Sequence, residues 1–218
     1  MKKLISIVTP CFNEEDNVEE LCGRIAAVMR TLQYDYEHIL IDNASTDATV
    51  EKIKKIASED KRVKLIVNVR NFGHIRSPYH ALLQTNGAAS IVIASDLQDP
   101  PEKIPEFIQK WEEGYKTVLA VKSASEESST MFFIRKTYYR LIGSMSEVPL
   151  IQNATGAGLY DKVVVDILRQ IDDPYPYARG LICEIGYPIG TVPFIQPGRK
   201  RGITKNNFYT LYDIAMLG

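Results

Sequence analysis

Short apolar runs alternate with amphipathic stretches through the first 121 residues, and this alternation leaves few folds open. Leu4-Ile5-Ser6-Ile7-Val8 comes first. Val18, Leu21, Ile25, Val28 and Leu32 follow at spacings of three and four, the pattern of one helix face. His38-Ile39-Leu40-Ile41 is a second strand, and Ser45 or Thr46 is placed to cap a helix carrying Val50, Ile53 and Ile56. Val63 to Val67 is a third strand, Pro78 to Thr85 a helix, and Ser90 to Ala94 a fourth strand. Ile104, Phe107, Ile108 and Trp111 mark a helix stopped by Gly114, and Thr117 to Val121 is a fifth strand. Strands alternating with helices predict an α/β domain whose mainly parallel sheet is covered on both faces.

The second half is less regular. Met131 to Ile142 and Val163 to Ile171 read as helices. Ile195 to Asn207 is a basic, glycine-punctuated loop, and Phe208 to Leu217 reads as the start of an amphipathic helix. At 218 residues the chain suits a single domain, with residues 1–121 and 122–218 as its two halves. The net charge of −1 gives no reason to expect nucleic acid as a partner. Cys11, Cys22 and Cys183 are scattered and odd in number, so reduced thiols in a cytosolic setting are expected. No apolar stretch reaches the roughly 20 residues of a membrane-spanning helix.

Four polar segments each follow one of these strands. They are Thr9-Pro10-Cys11-Phe12-Asn13-Glu14-Glu15, Asp42-Asn43-Ala44-Ser45-Thr46-Asp47, Arg70-Asn71-Phe72-Gly73 and Asp96-Leu97-Gln98-Asp99-Pro100-Pro101-Glu102. Singly, each could be a cap or a turn. A parallel sheet gathers all four at one edge, where open α/β sheets bind ligands. Carboxylate and amide oxygens there suit Mg²⁺ or Mn²⁺, which prefer oxygen and often hold substrate phosphates.

In this order and spacing the segments resemble glycosyltransferase family 2, and within it the subgroup that transfers a sugar to a polyprenyl phosphate. Arg179-Gly180-Leu181 with Gly186, and Arg199 with Gly202-Ile203-Thr204-Lys205, support that subgroup. The resemblance implies a Rossmann-like nucleotide-binding domain of the GT-A type. It assigns Pro10, Phe12 and Glu14 to the nucleoside pocket, Asp42 and Asn43 to the nucleobase, and Asn71 and Asp96 to the rest of the nucleotide-sugar site. Asp96 is the implied metal ligand, with Gln98 adding an amide oxygen. Asp96, Arg199 and Lys205 are the expected catalytic residues; Lys122, Arg135, Arg179, Arg199 and Lys205 are the expected clamps for an acceptor phosphate.

Three positions depart from the family pattern. Ala94 replaces the first acid of the Asp-x-Asp motif, Asn43 the second acid of the Asp-Asp-Gly-Ser motif, and Asn153-Ala154-Thr155-Gly156 holds no acid where many relatives carry a general base. A sugar hydroxyl normally needs such a base, worth roughly 10²–10⁴-fold. A phosphate monoester, with a second pKa of about 6, is mostly a dianion near neutral pH and attacks unaided. The missing base therefore favours a lipid-phosphate acceptor.

The resulting expectation is an inverting hexosyltransferase using a nucleotide sugar, with uridine as the guessed base, at the cytoplasmic face of a membrane. Two alternatives stay open: transfer to a saccharide, and a catalytically silent membrane-surface or complex-forming relative. A homo-oligomer is compatible with the sequence. The aromatic and apolar segment Phe208 to Leu217 suits a membrane interface, and the chain is expected to be the soluble catalytic part of a longer membrane-associated enzyme.

Overall fold

The computed structural model describes residues 2–124, 154–171, 173 and 175–195. The expected helices over 131–142 and 208–217 and the basic loop from 196 onward lie outside the described residues. The elements run β1 (Leu4–Cys11), α1 (Val18–Arg30), β2 (Asp35–Asp42), α2 (Thr49–Glu59), β3 (Val63–Val67), α3 (Gly73–Leu83) and β4 (Ala89–Val92). A 3-10 turn (Pro101–Lys103) then leads into α4 (Ile104–Glu112), β5 (Thr117–Ala124), β6 (Ala154–Asp161), α5 (Lys162–Ile171), α6 (Ala178–Glu184) and β7 (Ile189–Ile195).

The strands form one seven-stranded sheet in the order β3-β2-β1-β4-β6-β5-β7. All neighbouring pairs are parallel except those made by β6, which runs antiparallel to β4 and to β5. The α/β class and the mainly parallel mixed sheet follow the sequence-based expectation. One face packs Leu21 and Ile25 of α1 and Phe107 and Ile108 of α4 against Ile5, Ile7, Ile91, Val118 and Leu159. The other packs Tyr79 and Leu82 of α3 with Val164, Val165 and Leu168 of α5. The mouth of the sheet, where β1 to β4 end, is thereby held between two packed layers.

Several boundaries differ from the sequence reading. The third helix begins at Gly73, so Pro78 lies inside it rather than at its start. Asn71 Oδ1 accepts the Gly73 N–H at 2.8 Å, and Gly73 takes the left-handed φ of 85° that this entry needs. The second helix is not capped by Ser45 or Thr46. Asp47 Oδ1 takes the Thr49 N–H at 3.0 Å, and Glu15 Oε2 takes the Ala48 N–H at 2.9 Å. Strand β6 was invisible because Gly156 and Gly158 carry little strand propensity. Gly158 is there for contact: a Cβ would lie 2.9 Å from both Leu119 Cδ2 and the Val118 carbonyl oxygen.

Candidate functional site

The four strand-end segments meet at one edge of the sheet, and hydrogen bonds join them. The first two are zipped together residue by residue. The Asn13 N–H donates to Ser45 Oγ at 2.8 Å, the Thr46 N–H to Asn13 Oδ1 at 2.8 Å, and the Glu14 N–H to Thr49 Oγ1 at 2.8 Å. Lys52 Nζ donates to the Glu15 carbonyl at 2.8 Å. Each of the four loops also holds one residue at positive φ: Asn13 at 54°, Ala44 at 62°, Gly73 at 85° and Leu97 at 61°. A non-glycine residue there costs of order 1–2 kcal/mol unless a short polar side chain offsets it. Such strain collected at one edge marks a shape that local preference did not choose.

Pro10 and Phe12 are half-buried at the end of β1. Glu14 is buried and accepts the Asn17 Nδ2–H at 2.6 Å, so its carboxylate also ties down the entry to α1. Asp42 is fully buried at the end of β2. Its Oδ2 accepts the Ser45 N–H at 2.9 Å, while Oδ1 has no partner among the described residues. Leaving a buried carboxylate oxygen unpaired is costly.

Asn43 is a hub. Its Nδ2 donates to Asn71 Oδ1 at 2.8 Å and to the Gly73 carbonyl at 3.2 Å. Its Oδ1 accepts the Phe72 N–H at 2.9 Å and Asn68 Nδ2–H at 3.1 Å. An aspartate there would lose both donors and set an anion against two oxygens, which explains why this chain keeps an amide where relatives carry an acid. Asn43 and Asn71 therefore shape the loop before α3.

In the last segment the left-handed turn at Leu97 buries that side chain in the core, with Asp96 and Gln98 half-exposed on either side of it. Asp96 Oδ1 accepts the Gln98 N–H at 3.1 Å, which fixes the turn. Glu102 is paired through both oxygens to Arg24 of α1, at 2.9 and 2.6 Å, a strut that pins the loop to the helix layer.

Asp99 is the residue that the sequence reading passed over. It is buried, and its Oδ1 has no partner among the described residues. Burial, and then the nearby Asp96 charge, push its pKa up to about 6, against hydrogen bonds from the Ala94 backbone and the Thr155 hydroxyl and the charge of Lys122. Asp99 thus draws β4, β5 and β6 together at the mouth, and Lys122 is the one expected acceptor clamp whose side chain the structure describes. Its signal in sequence was a second acid held rigidly before Pro100-Pro101. Arg179 lies on α6, but its side chain, like Arg135, Arg199 and Lys205, falls outside the described residues. A Cβ at Gly156, where many relatives place an acid, would meet no described residue within 4 Å.

The donor set was tested for a divalent ion. Among the described residues no group of three or more His, Cys, Asp or Glu side chains could hold a metal by itself. The Asp96 carboxylate and Gln98 amide are hard oxygen donors, and they fit an ion whose remaining positions are filled by ligand oxygens.

Residues 6–165 match the profile of glycosyl transferase family 2. An uncharacterized glycosyltransferase of Synechocystis is 34% identical over 215 residues, covering 98% of this chain and 68% of that protein. A bactoprenol glucosyl transferase of Shigella phage SfX is 31% identical over 217 residues, covering 98% and 70%. The chain spans about two thirds of the length of the curated relatives it matches. The crystal structure of glucosyl-3-phosphoglycerate synthase from Mycobacterium tuberculosis with Mn²⁺, uridine-diphosphate-glucose and phosphoglyceric acid superposes with a TM-score of 0.61 at 21% identity, covering 98% of this chain and 76% of that one. That likeness bears on the fold, which is of the GT-A type.

Proposed function

The chain belongs to glycosyltransferase family 2, and we propose that it is an inverting enzyme moving a hexose from a nucleotide sugar, UDP-linked, to a polyprenyl phosphate. The observation that carries this reading is the convergence of four strand-end loops, each with a left-handed residue, around buried carboxylate oxygens that have no partner among the described residues. The similarity to bactoprenol glucosyl transferases supports the acceptor.

In this reading Pro10, Phe12 and Glu14 bound the nucleoside pocket, and the unpaired Asp42 Oδ1 accepts a base N–H. Asn43 and Asn71 hold the loop that closes the base side. Asp96, with Gln98, would bind Mg²⁺ or Mn²⁺, whose charge offsets that of the departing diphosphate. Lys122, with Arg135, Arg179, Arg199 and Lys205, would hold the acceptor phosphate, so that residues 1–121 form the donor half and 122–218 the acceptor half. With no acid at Gly156, the acceptor brings its own nucleophilic dianion. The reading puts the active enzyme at a membrane surface, although none of the described helices is long and apolar enough to cross one.

A thermal-shift series with UDP, with and without Mn²⁺, tests the donor side, since a ligand that binds only the folded state raises the melting temperature. UDP is expected to stabilise the protein only with the ion, and Asp96→Asn to remove that gain while the unliganded melting temperature stays within about 2 °C. Equal UDP affinity in excess chelator would refute the metal role. Transfer of labelled hexose to a short-chain polyprenyl phosphate in detergent tests the acceptor side, and transfer to a saccharide instead would overturn it.

A further inference from the structure

The rim of the mouth beside β3 carries a cluster of side chains that runs outward from the third site segment, through Arg70 and Phe72. The Arg70 guanidinium lies 4.0 Å from the Phe72 ring centroid. Arg76 lies 5.8 Å from the same ring and 4.9 Å from the Tyr175 ring. The four side chains form a continuous ladder of cations and aromatics. It joins the loop after β3, the first turn of α3 and the segment between α5 and α6. Beside it, Val69 is 93% exposed, Val67 49% and Tyr175 64%.

The ladder is one-signed. Among the described residues neither Arg70 nor Arg76 has an acidic partner; their polar contacts are to backbone, Arg70 to the Asn71 carbonyl and Arg76 to the Phe72 carbonyl. Among the described residues of the neighbouring segment, Asp173 accepts the Tyr175 N–H at 2.8 Å. Some other surface cations are matched, Arg62 with Asp60, Lys103 with Glu106, Lys110 with Glu113 and Lys162 with Asp166, while Arg70 and Arg76 face aromatic rings instead. What sets this rim apart is that its two arginines are stacked on aromatic rings beside exposed valines.

This chemistry fits one surface well. Arginine stems and aromatic rings settle at the boundary between hydrocarbon and headgroups, with the charge in the headgroup layer. Valine at a loop tip adds a shallow apolar anchor. Each cation close to an anionic leaflet adds favourable electrostatics, which salt screens. We propose that the rim formed by Val69, Arg70, Phe72, Arg76 and Tyr175 docks on an anionic lipid bilayer, seating the mouth of the sheet against the leaflet. The purpose of this docking rests on the lipid-phosphate acceptor proposed above; the docking itself is measured without it.

Flotation of the full chain with phosphatidylglycerol–phosphatidylcholine vesicles, and with phosphatidylcholine vesicles alone, tests the rim. The wild type is expected to float with the anionic vesicles, to lose most of that binding at about 0.5 M salt, and to float poorly with the neutral ones. The double variant Val69→Asp, Arg76→Glu should bind anionic vesicles at least about tenfold more weakly. It should keep the wild-type melting temperature and the UDP-induced shift. Flotation of the variant equal to wild type, or no flotation of the wild type, overturns the proposal. A concentration-dependent dimer that the variant abolishes, without vesicle binding, overturns it too and makes the rim a protein interface. If the variant loses flotation while the wild type transfers no hexose to polyprenyl phosphate in detergent, the docking surface stands and the acceptor assignment falls.

Discussion

The two ends of the sheet treat buried polar groups in opposite ways. At the base Glu37 is buried, yet every oxygen is used: Ser6 Oγ–H donates at 2.5 Å, Lys64 at 2.5 Å and the Asn86 N–H at 3.1 Å. Asp161 likewise collects Trp111 Nε1–H at 2.7 Å, Lys116 at 3.1 Å and the Val163 N–H at 2.9 Å. Arg169 donates to the Leu83 and Thr85 carbonyls at the end of α3. At the mouth Asp42 and Asp99 are also buried, but among the described residues each keeps an oxygen without a partner, on loops that hold left-handed residues. Burial alone therefore does not mark function. A buried group whose partners are all supplied by the fold is holding the fold; one left incomplete is held for something the fold lacks.

The sharpest test of that contrast is at the base. Burial alone would raise the Glu37 pKa, but hydrogen bonds from Lys64, Ser6 and Asn86 outweigh it and hold the carboxyl below its ordinary value. Glu37→Ala would leave the Ser6 hydroxyl and the Asn86 N–H without an acceptor inside the sheet. A loss of about 4 kcal/mol in unfolding free energy is expected from urea titration, because breaking such a network costs more than its formation gains. UDP affinity, measured on the folded fraction, should stay within about twofold. A large fall in affinity with little change in stability would show that the base also serves the site.

Midway along β2, His38 gives the next test. Its Nε2 lies 2.9 Å from Thr9 Oγ1 and its Nδ1 3.8 Å from Cys22 Sγ. Burial holds the imidazole neutral and pushes its pKa down to about 4, against the opposing charge of Asp60. Between pH 4 and 6.5 the unfolded chain carries a proton on this residue that the folded chain does not. Stability therefore falls as pH drops through that window, by about 3 kcal/mol from this group. Urea midpoints for the wild type and His38→Gln, compared at pH 7 and pH 4, should diverge by that amount, with the variant losing less. Identical slopes would mean that His38 is not the buried neutral base that its surroundings imply.

The first half of the fold was legible because burial on both faces writes itself as apolar runs: β1 to β5 each appear as such a run, and the helices between them keep a 3.6-residue period. The second half was harder to read. Strand β6 spends its sequence on close approach to β5, as at Gly158, and so looks irregular. Most of the site segments were legible because each follows a strand. What each side chain does within them was less so. Asn43 reads as a base-contacting residue, but the sequence does not show the four hydrogen bonds by which it also holds the loop before α3. Glu102 reads as part of the acidic motif until it is seen paired with Arg24. Asp99 was passed over because sequence shows an acid but not the absence of its partner.

The smallest expected effect on stability is at Asp42, and there the contrast is most exposed. Asp42 is fully buried, its Oδ2 takes the Ser45 N–H, and its backbone carbonyl takes the Asn68 N–H at 2.9 Å. Asp42→Asn keeps an oxygen for Ser45 and turns an N–H₂ group toward the position that Oδ1 held. The unliganded fold should change by less than about 1 kcal/mol, since the lost charge had no protein partner on that oxygen and carried a desolvation cost. A base N–H would now meet a donor instead of an acceptor. UDP affinity should fall roughly 30-fold, about 2 kcal/mol, by calorimetry in Mn²⁺. Affinity for inorganic pyrophosphate, which has no base, should be unchanged, and this locates the loss at the nucleobase. If Asp42→Asn destabilises the protein as much as Glu37→Ala and leaves UDP binding intact, the two ends of the sheet are alike, and the unpaired oxygen at the mouth is a packing fault rather than half of a recognition contact.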